Sequence, residues 1–101
     1  MHAVDDRSLP FFTVSQVASM LDVQQPFLRR LEAHDLVTPG RTEGNQRRYS
    51  HDDVERVSHI VSLVGEGLTL AGVKRVLELQ AEVTALRAEL AELRRRSGRR
   101  R

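Results

Sequence analysis

The last third of the chain carries a narrow apolar stripe that a single helix cannot bury. Six apolar residues recur at alternating spacings of three and four, namely Val76, Leu79, Val83, Leu86, Leu90 and Leu93. This spacing is the a/d pattern of a heptad repeat, and the residues between them are mostly the helix formers Ala, Glu, Leu and Arg. Because such a stripe needs a partner helix along its length, the pattern predicts a dimerisation coiled coil over residues 78–96.

The charges beside the stripe leave the direction of the coil open. The g positions hold Glu82 and Glu89, and the e positions hold Arg87 and Arg94. Glutamate at g and arginine at e attract each other across two parallel helices. An antiparallel pair would instead oppose Glu82 to Arg96. The sequence therefore predicts a homodimer, with both directions of pairing open.

Length and composition restrict the class of protein. A chain of 101 residues has room for one small domain and an appended helix. The absence of cysteine excludes disulfides, thiolate metal sites and cysteine nucleophiles. The sequence contains no apolar run long enough to span a membrane, and its acidic, polar start lacks a hydrophobic signal region. We expect a cytoplasmic protein without membrane contact, in which residues 1–10 form a flexible leader.

The net charge of +2 conceals an uneven distribution. The last eight residues hold six of the 16 lysines and arginines, which leaves 10 basic against 14 acidic residues elsewhere, a balance of −4. Against this acidic background, the segment from Gln24 to Tyr49 holds five arginines. Locally placed positive charge indicates a phosphate-binding face. The end of the chain, with a basic tail at 97–101, is predicted to be disordered, and it either adds sequence-blind DNA affinity or only solubilises the helix end.

Capping signals place two short helices at the start of the domain. Thr13 and Gln16 have the spacing of a capping box, which predicts a helix over residues 14–21. After a turn at residues 22–23, Pro26 lies in the first turn of a second helix predicted over residues 25–35. Two short helices across so short a turn form a helix-turn-helix.

The remaining elements follow from turn and cap residues. Pro39, Gly40 and Gly44 within residues 38–49 predict a small β-hairpin, a wing. Ser50 and Asp53 predict the cap of a helix over residues 52–64, and an unbroken pattern from Leu70 predicts one long helix or a kinked pair. The residues predicted to face inward are Val14, Val17, Ala18, Leu21, Phe27, Leu28, Leu31, Leu36, Val37, Val54, Val57, Ile60, Val61, Val64, Val73, Val76 and Leu77.

In this order, the parts resemble the DNA-binding half of the MerR family of transcription regulators. The resemblance runs from Phe12 to about Leu93 and rests on the segments TVSQVASMLDV, PFLRRLEAHDLV, GRTEGNQRRYS and LTLAGVKRVLEL. The Arg-Arg-Tyr-Ser end of the wing is the most specific of these motifs. The run at residues 70–75, which leads straight into the coil, resembles the actinobacterial heat-shock repressor branch.

The resemblance implies a mainly α fold, with a winged helix-turn-helix DNA-binding domain over residues 11–77 followed by a dimerisation coiled-coil helix. It also implies an antiparallel coil, a bent and untwisted promoter and, for the heat-shock branch, repression with a chaperone as co-regulator. Family members that sense metals or drugs carry cysteines or a C-terminal ligand domain. This sequence has neither, so no cofactor is expected. Arg30 and Leu31 stand where the family often has two aromatic residues, so its base preferences do not transfer directly.

The predicted DNA contacts come from the second helix, the wing and the first helix. The resemblance implies that the second helix is the recognition helix. Arg29 matches the family arginine, and it lies with Arg30 in the half of the helix that normally enters the major groove. Arg48 and Tyr49 match the family positions that clamp the backbone. The full predicted set is Thr13, Ser15, Gln24, Gln25, Arg29, Arg30, Arg41, Asn45, Arg47, Arg48 and Tyr49.

Several of these residues also have a purely structural interpretation. Thr13 and Ser15 could serve only as caps, Gln24 and Gln25 as ordinary polar residues at a helix start, and Tyr49 as a core aromatic that anchors the wing. Arginines of the second helix could instead belong to a solvated helix face. Both interpretations of each residue stay open at this point.

A DNA-binding function accounts for these features best. The sequence Ser50-His51-Asp52-Asp53 has the form of a helix cap with acidic first-turn residues, so neither a metal site nor an enzyme is expected. We predict a sequence-specific, homodimeric transcription regulator, a stress-response repressor that acts on an inverted repeat of double-stranded DNA. The alternatives are an excisionase-like or nucleoid-associated DNA-bending protein, and a protein-interaction module without a DNA role.

Overall fold

The computed structural model describes residues 6–99, and its helices and strands follow the predicted order with one additional strand. The elements are β1 (Phe12–Thr13), α1 (Val14–Leu21), α2 (Gln25–Ala33), β2 (Gly40–Arg41), β3 (Arg47–Tyr49), α3 (His51–Gly65) and α4 (Leu70–Arg99). The architecture is therefore mainly α, a winged helix-turn-helix followed by one long helix. Within residues 6–99, none of the helices combines the length and apolar character that a membrane span requires.

The first two helices form as their cap residues predict. The Thr13 side chain accepts a bond from the Gln16 amide at 3.1 Å, and the Gln16 side chain accepts one from the Thr13 amide at 2.8 Å. Helix α1 ends at Leu21, and Asp22 follows in the left-handed region at φ 55°. Helix α2 ends at Ala33, two residues before the predicted end, because Asp35 is also left-handed, at φ 58°. A left-handed residue ends a helix by directing the chain away from its axis.

The wing is part of a three-stranded antiparallel sheet rather than an isolated hairpin. Strand β3 lies in the centre, with β1 on one side and β2 on the other. Phe12 pairs with Tyr49 in the first ladder, and Arg41 pairs with Arg47 in the second. Strand β1 was absent from the sequence prediction, because two residues are too few to show an alternating pattern. The sheet joins the start of α1 to the wing.

Helix α3 begins with the predicted cap, and α4 extends further than predicted. Ser50 and Asp53 bond reciprocally at 2.9 and 3.0 Å, and α3 begins at His51. Helix α4 is uninterrupted from Leu70 to Arg99, so the prediction of a disordered end is wrong as far as Arg99. Arginines one and two turns beyond Glu92 pair with its carboxylate, and cations also stabilise a helix C-terminus. Residues 100 and 101 of the predicted tail lie outside the described residues.

The core gathers side chains from all four helices and from β3. Tyr49 is its largest fully buried side chain, and Leu63, which the sequence prediction missed, is also buried. Several residues predicted to face inward, such as Val54 and Val64, are only half-buried and pack against this cluster. The buried apolar residues are Val17, Ala18, Leu28, Leu31, Leu36, Val37, Tyr49, Val57, Ile60, Leu63, Val73 and Leu77.

The described part of the predicted flexible leader is fixed to α3. The Arg7 guanidinium pairs with Asp52 at 3.2 Å and with Glu55 at 2.9 Å, and the Arg7 carbonyl accepts the Asp52 amide at 3.1 Å. The Phe11 amide then donates to the Tyr49 carbonyl at 3.0 Å, which prolongs the sheet. Residues 6–10 therefore have defined contacts, whereas residues 1–5 of the predicted leader lie outside the described residues.

Candidate nucleic-acid interface

Helix α2 presents two arginines on its outer face. Leu28 and Leu31 face the core, so the intervening Arg29 and Arg30 point to solvent and are exposed. Among residues 6–99, neither arginine has an ion-pair or hydrogen-bond partner. Both guanidiniums are therefore free to fork onto a guanine edge or a phosphate. This is the arrangement that the sequence predicted for a recognition helix.

The helix start places two glutamines near α1. Gln24 is the exposed N-cap residue of α2, and its side chain makes no capping bond. The Gln25 amide group donates to the Ser15 hydroxyl at 3.3 Å. This bond connects the starts of the two helices and leaves one amide oxygen of Gln25 available to an outside donor.

The start of α1 and the wing enclose an open cleft of about 410 Å³. Five of the predicted DNA contacts line it, together with Val14 and Gln46: they are Thr13, Ser15, Asn45, Arg47 and Arg48. Asn45 lies at the tip of the wing in the left-handed region, at φ 64°. The fold therefore brings together residues that are more than 30 positions apart in the sequence. Backbone amides at a helix start and neighbouring guanidiniums are groups that bind phosphate.

Arg48 lies in the central strand between the two other strands. Its register partners are Thr13 in β1 and Gly40 in β2. The side chain is half-buried, and its guanidinium donates to the Arg47 carbonyl at 3.2 Å. One backbone bond occupies only a part of its five donors. Arg48 thus keeps donors for a phosphate at the mouth of the cleft.

Arg41 and Arg47 are both bound by Glu32 of the recognition helix. The Glu32 carboxylate accepts from Arg41 at 2.7 Å and from Arg47 at 2.6 Å. Arg41 also donates to the Asn45 carbonyl at 3.4 Å. The sequence prediction treated both arginines as free DNA contacts. In this structure the shared carboxylate offsets one of their two positive charges, so Arg41, Arg47 and Glu32 together keep a net charge of +1.

Tyr49 is a core residue and does not face the DNA-binding surface. Its side chain is fully buried, and its hydroxyl has no hydrogen-bond partner among the described residues. Burial raises the pKa of the Tyr49 phenol, and the charge of Glu32 adds to the increase. The burial of the side chain argues against the predicted backbone contact by Tyr49, which stays a prediction. The alternative interpretation, an aromatic that anchors the wing, agrees with the structure.

We expect Tyr49→Phe to stabilise the fold and to leave DNA affinity unchanged within about twofold. A buried hydroxyl without a partner costs about 1–3 kcal/mol, and phenylalanine has the same shape without that cost. Wild-type stability should also fall as the pH rises through the elevated folded-state pKa, because the folded phenol holds its proton more tightly than the unfolded one. Thermal denaturation at neutral and alkaline pH checks both points. A clear loss of DNA affinity would show that the hydroxyl reaches the backbone after all.

Most of the heptad stripe on α4 is exposed. Leu79 and Val83 are each 43% exposed, Leu90 is 46% exposed, and Leu86 and Leu93 are each 58% exposed. Val76 differs from the other predicted dimerisation residues, because it is half-buried and packs against the core of its own chain. After Leu77, none of the described residues is buried. The free apolar surface therefore begins at Leu79.

The sequence prediction did not include the contact of Glu32 with the two arginines of the wing. The available signal was the position of two arginines on either side of the short turn at residues 42–46. Arginines facing each other across a hairpin repel, so a nearby carboxylate is expected to bridge them.

Comparison with known proteins agrees with this architecture. A family model described as the MerR HTH family regulatory protein matches residues 12–80. The HTH-type transcriptional regulator GlnR of Bacillus anthracis is 37% identical over 92 residues, which cover 88% of this chain and 71% of GlnR. The putative heat shock protein HspR of Streptomyces coelicolor is 39% identical over 85 residues, which cover 83% of this chain and 56% of HspR.

Two solved structures share the fold. HiNmlR, a MerR family regulator lacking the sensor domain and bound to promoter DNA, superposes with a TM-score of 0.62 and 22% identity, covering 83% of this chain and 76% of that one. MtaN, the N-terminus of the Bacillus subtilis multidrug transporter activator, superposes with a TM-score of 0.64 and 25% identity, covering 84% and 86%. The family match spans most of the chain, and its relative GlnR is an HTH-type transcriptional regulator. The chain belongs to the MerR family of helix-turn-helix, DNA-binding transcription regulators.

Proposed function

We propose that the protein acts as a homodimer that reads an inverted repeat in promoter DNA. The observation that carries this proposal is the presence of two complementary exposed surfaces on one short chain. The free arginines of α2 form the first, and the apolar stripe from Leu79 to Leu93 forms the second. Pairing of two stripes would relate two recognition helices by a two-fold axis, which matches the symmetry of an inverted repeat.

The exposed side chains divide between base contact and backbone contact. Arg29 and Arg30 on α2 are suited to base edges in the major groove, where an arginine fork reads guanine. Arg48 and the start of α1 are suited to phosphates on the flanking backbone. In this proposal the wing sets the position along the duplex at which the DNA backbone is bound. The operator bends so that its backbone reaches the wing.

We further propose that the protein is a repressor in a stress response, with a chaperone as co-regulator. Support comes from the 39% identity with the putative heat shock protein HspR and from the segment at residues 70–75 that leads directly into the stripe. The protein would work in the cytoplasm at the nucleoid.

One observation favours a second function, that of a DNA-bending accessory protein. The last eight residues hold six arginines, and charge of this kind binds duplex DNA without regard to sequence. An excisionase-like or nucleoid-associated protein would depend on that affinity. Its specific binding would then exceed its non-specific binding only slightly.

Selection of duplexes from a random DNA pool by the purified protein separates the two functions. It should be carried out at two stated salt concentrations, because arginine–phosphate affinity depends on salt. We expect an inverted repeat with fixed spacing, which would support a symmetric dimer and identify candidate promoters. Enrichment without a shared motif would contradict the regulator proposal and favour the accessory function.

A further inference from the structure

One carboxylate connects the recognition helix to both strands of the wing. Glu32 accepts hydrogen bonds from Arg41 in β2 and from Arg47 in β3, at 2.7 and 2.6 Å. These two arginines are direct register partners across the hairpin. Among residues 6–99, they provide the side-chain hydrogen bonds between α2 and the wing. Glu32 therefore occupies a point at which three elements meet.

Glu32 offsets the repulsion between the paired side chains of Arg41 and Arg47. Like charges directly opposite each other across two strands are destabilising. A carboxylate placed between two guanidiniums removes this repulsion, and each bond is strengthened by the opposite charges. The Glu32 side chain is 24% exposed, so these bonds are less screened by water than ordinary surface ion pairs. The bridge thus fixes the wing and the helix in one relative position.

We propose that Glu32 is a positioning residue for DNA recognition. It holds the wing against α2, so that Arg29 on the helix and Arg48 on the central strand meet one duplex at a fixed separation. It also keeps Arg41 and Arg47 from binding phosphates at random. This inference rests on the proposed DNA-reading function and adds a residue that touches no DNA.

For the selected duplex, the proposal predicts a change in affinity opposite to the one that electrostatics alone predicts. Removing a negative charge beside DNA and releasing two arginines would raise affinity for any duplex, because attraction to phosphates grows. Loss of the fixed separation would instead lower affinity for the correct sequence. The ratio of specific to non-specific affinity therefore distinguishes positioning by Glu32 from a charge effect.

The test compares Glu32→Gln with Glu43→Gln, which removes the same charge from an exposed residue of the wing turn. The probes are a duplex selected from a random pool by the wild-type protein and a scrambled duplex of equal length. We expect Glu32→Gln to lower the specific-to-non-specific affinity ratio at least about tenfold, within the range that one good contact contributes. Glu43→Gln should leave the ratio unchanged. An unchanged or higher ratio in Glu32→Gln would overturn the proposal.

Hydrogen exchange on the free protein provides a measurement without DNA. In Glu32→Gln we expect faster exchange of wing amides such as those of Arg41 and Arg47, while the buried part of α3 keeps its protection. Equal wing protection in wild type and variant would also overturn the proposal. If the wild type selects no sequence from the pool, the proposed function fails, whereas this measurement still decides the role of Glu32.

A charge swap keeps the test valid if Glu32→Gln folds poorly. The double variant Glu32→Arg/Arg47→Glu again places one carboxylate among the guanidiniums of residue 32 and Arg41, with the net charge unchanged. We expect Glu32→Arg alone to lose wing protection and the double variant to regain a part of it. Failure of the second change to restore any protection would contradict a positioning role for the ion pair.

Discussion

Replacing Leu86 and Leu90 by glutamate is expected to yield a monomer and to lower DNA affinity about 100-fold or more. These leucines are 58% and 46% exposed in the single chain, so the interface has to bury them. Burial of one leucine contributes about 1.5–3 kcal/mol, and two copies contribute four such side chains. The variant loses this contribution and places charges at the a and d positions. Each separate domain then binds only a half-site, without the gain that a linked second domain provides.

Sedimentation equilibrium and DNA titration of the same samples check this prediction. Ala88→Glu/Ala91→Glu is the matched control, because it adds two equal charges to exposed positions of α4 outside the stripe. The control should remain dimeric. Both variants should keep the thermal stability of the winged domain, since neither changes a residue of the core. A dimer that survives the leucine substitutions would show that the chains pair through another surface.

The local signals in the sequence predicted most of the fold. Both capping boxes formed as their spacing indicated, because a cap depends on residues only three positions apart. The stripe on α4 was equally visible, since heptad spacing within one helix needs no information about the remainder of the chain. The C-terminal end of α2 was predicted less accurately, because aspartate at position 35 is not a residue type that requires the left-handed region.

The parts that the sequence did not predict depend on distant residues. Strand β1 forms because Phe12 pairs with Tyr49, which lies 37 positions later in the chain. The core that buries the aromatic ring of Tyr49 also gathers residues from distant parts of the chain. Likewise, Glu32 meets Arg47 only after the wing folds back over α2. The sequence therefore predicted the elements that carry these arginines, but it did not show which individual arginines have partners within the protein.

Arg29 has no ion-pair or hydrogen-bond partner among the described residues. Its replacement by alanine is therefore the sharpest test of the interface. We expect Arg29→Ala to weaken binding to a selected duplex by about 1–3 kcal/mol, roughly 5- to 150-fold in affinity. The free energy of unfolding should hardly change, because the side chain is exposed and has no ion-pair or hydrogen-bond partner among the described residues. Lys74→Ala is the control, since it removes one exposed positive charge from α4.

The dependence on salt then identifies what Arg29 touches. A phosphate contact would weaken binding to selected and scrambled duplexes alike and would lower the slope of log affinity against log salt by about 1. A guanine contact would weaken binding to the selected duplex alone and relax the preference at one base pair of each half-site. We expect the guanine pattern, because Arg29 lies at the middle of α2 on its exposed face, while Leu28 and Leu31 face the core. Equal losses in Arg29→Ala and Lys74→Ala would show that α2 contributes only bulk charge, which would remove the basis for sequence reading by this helix.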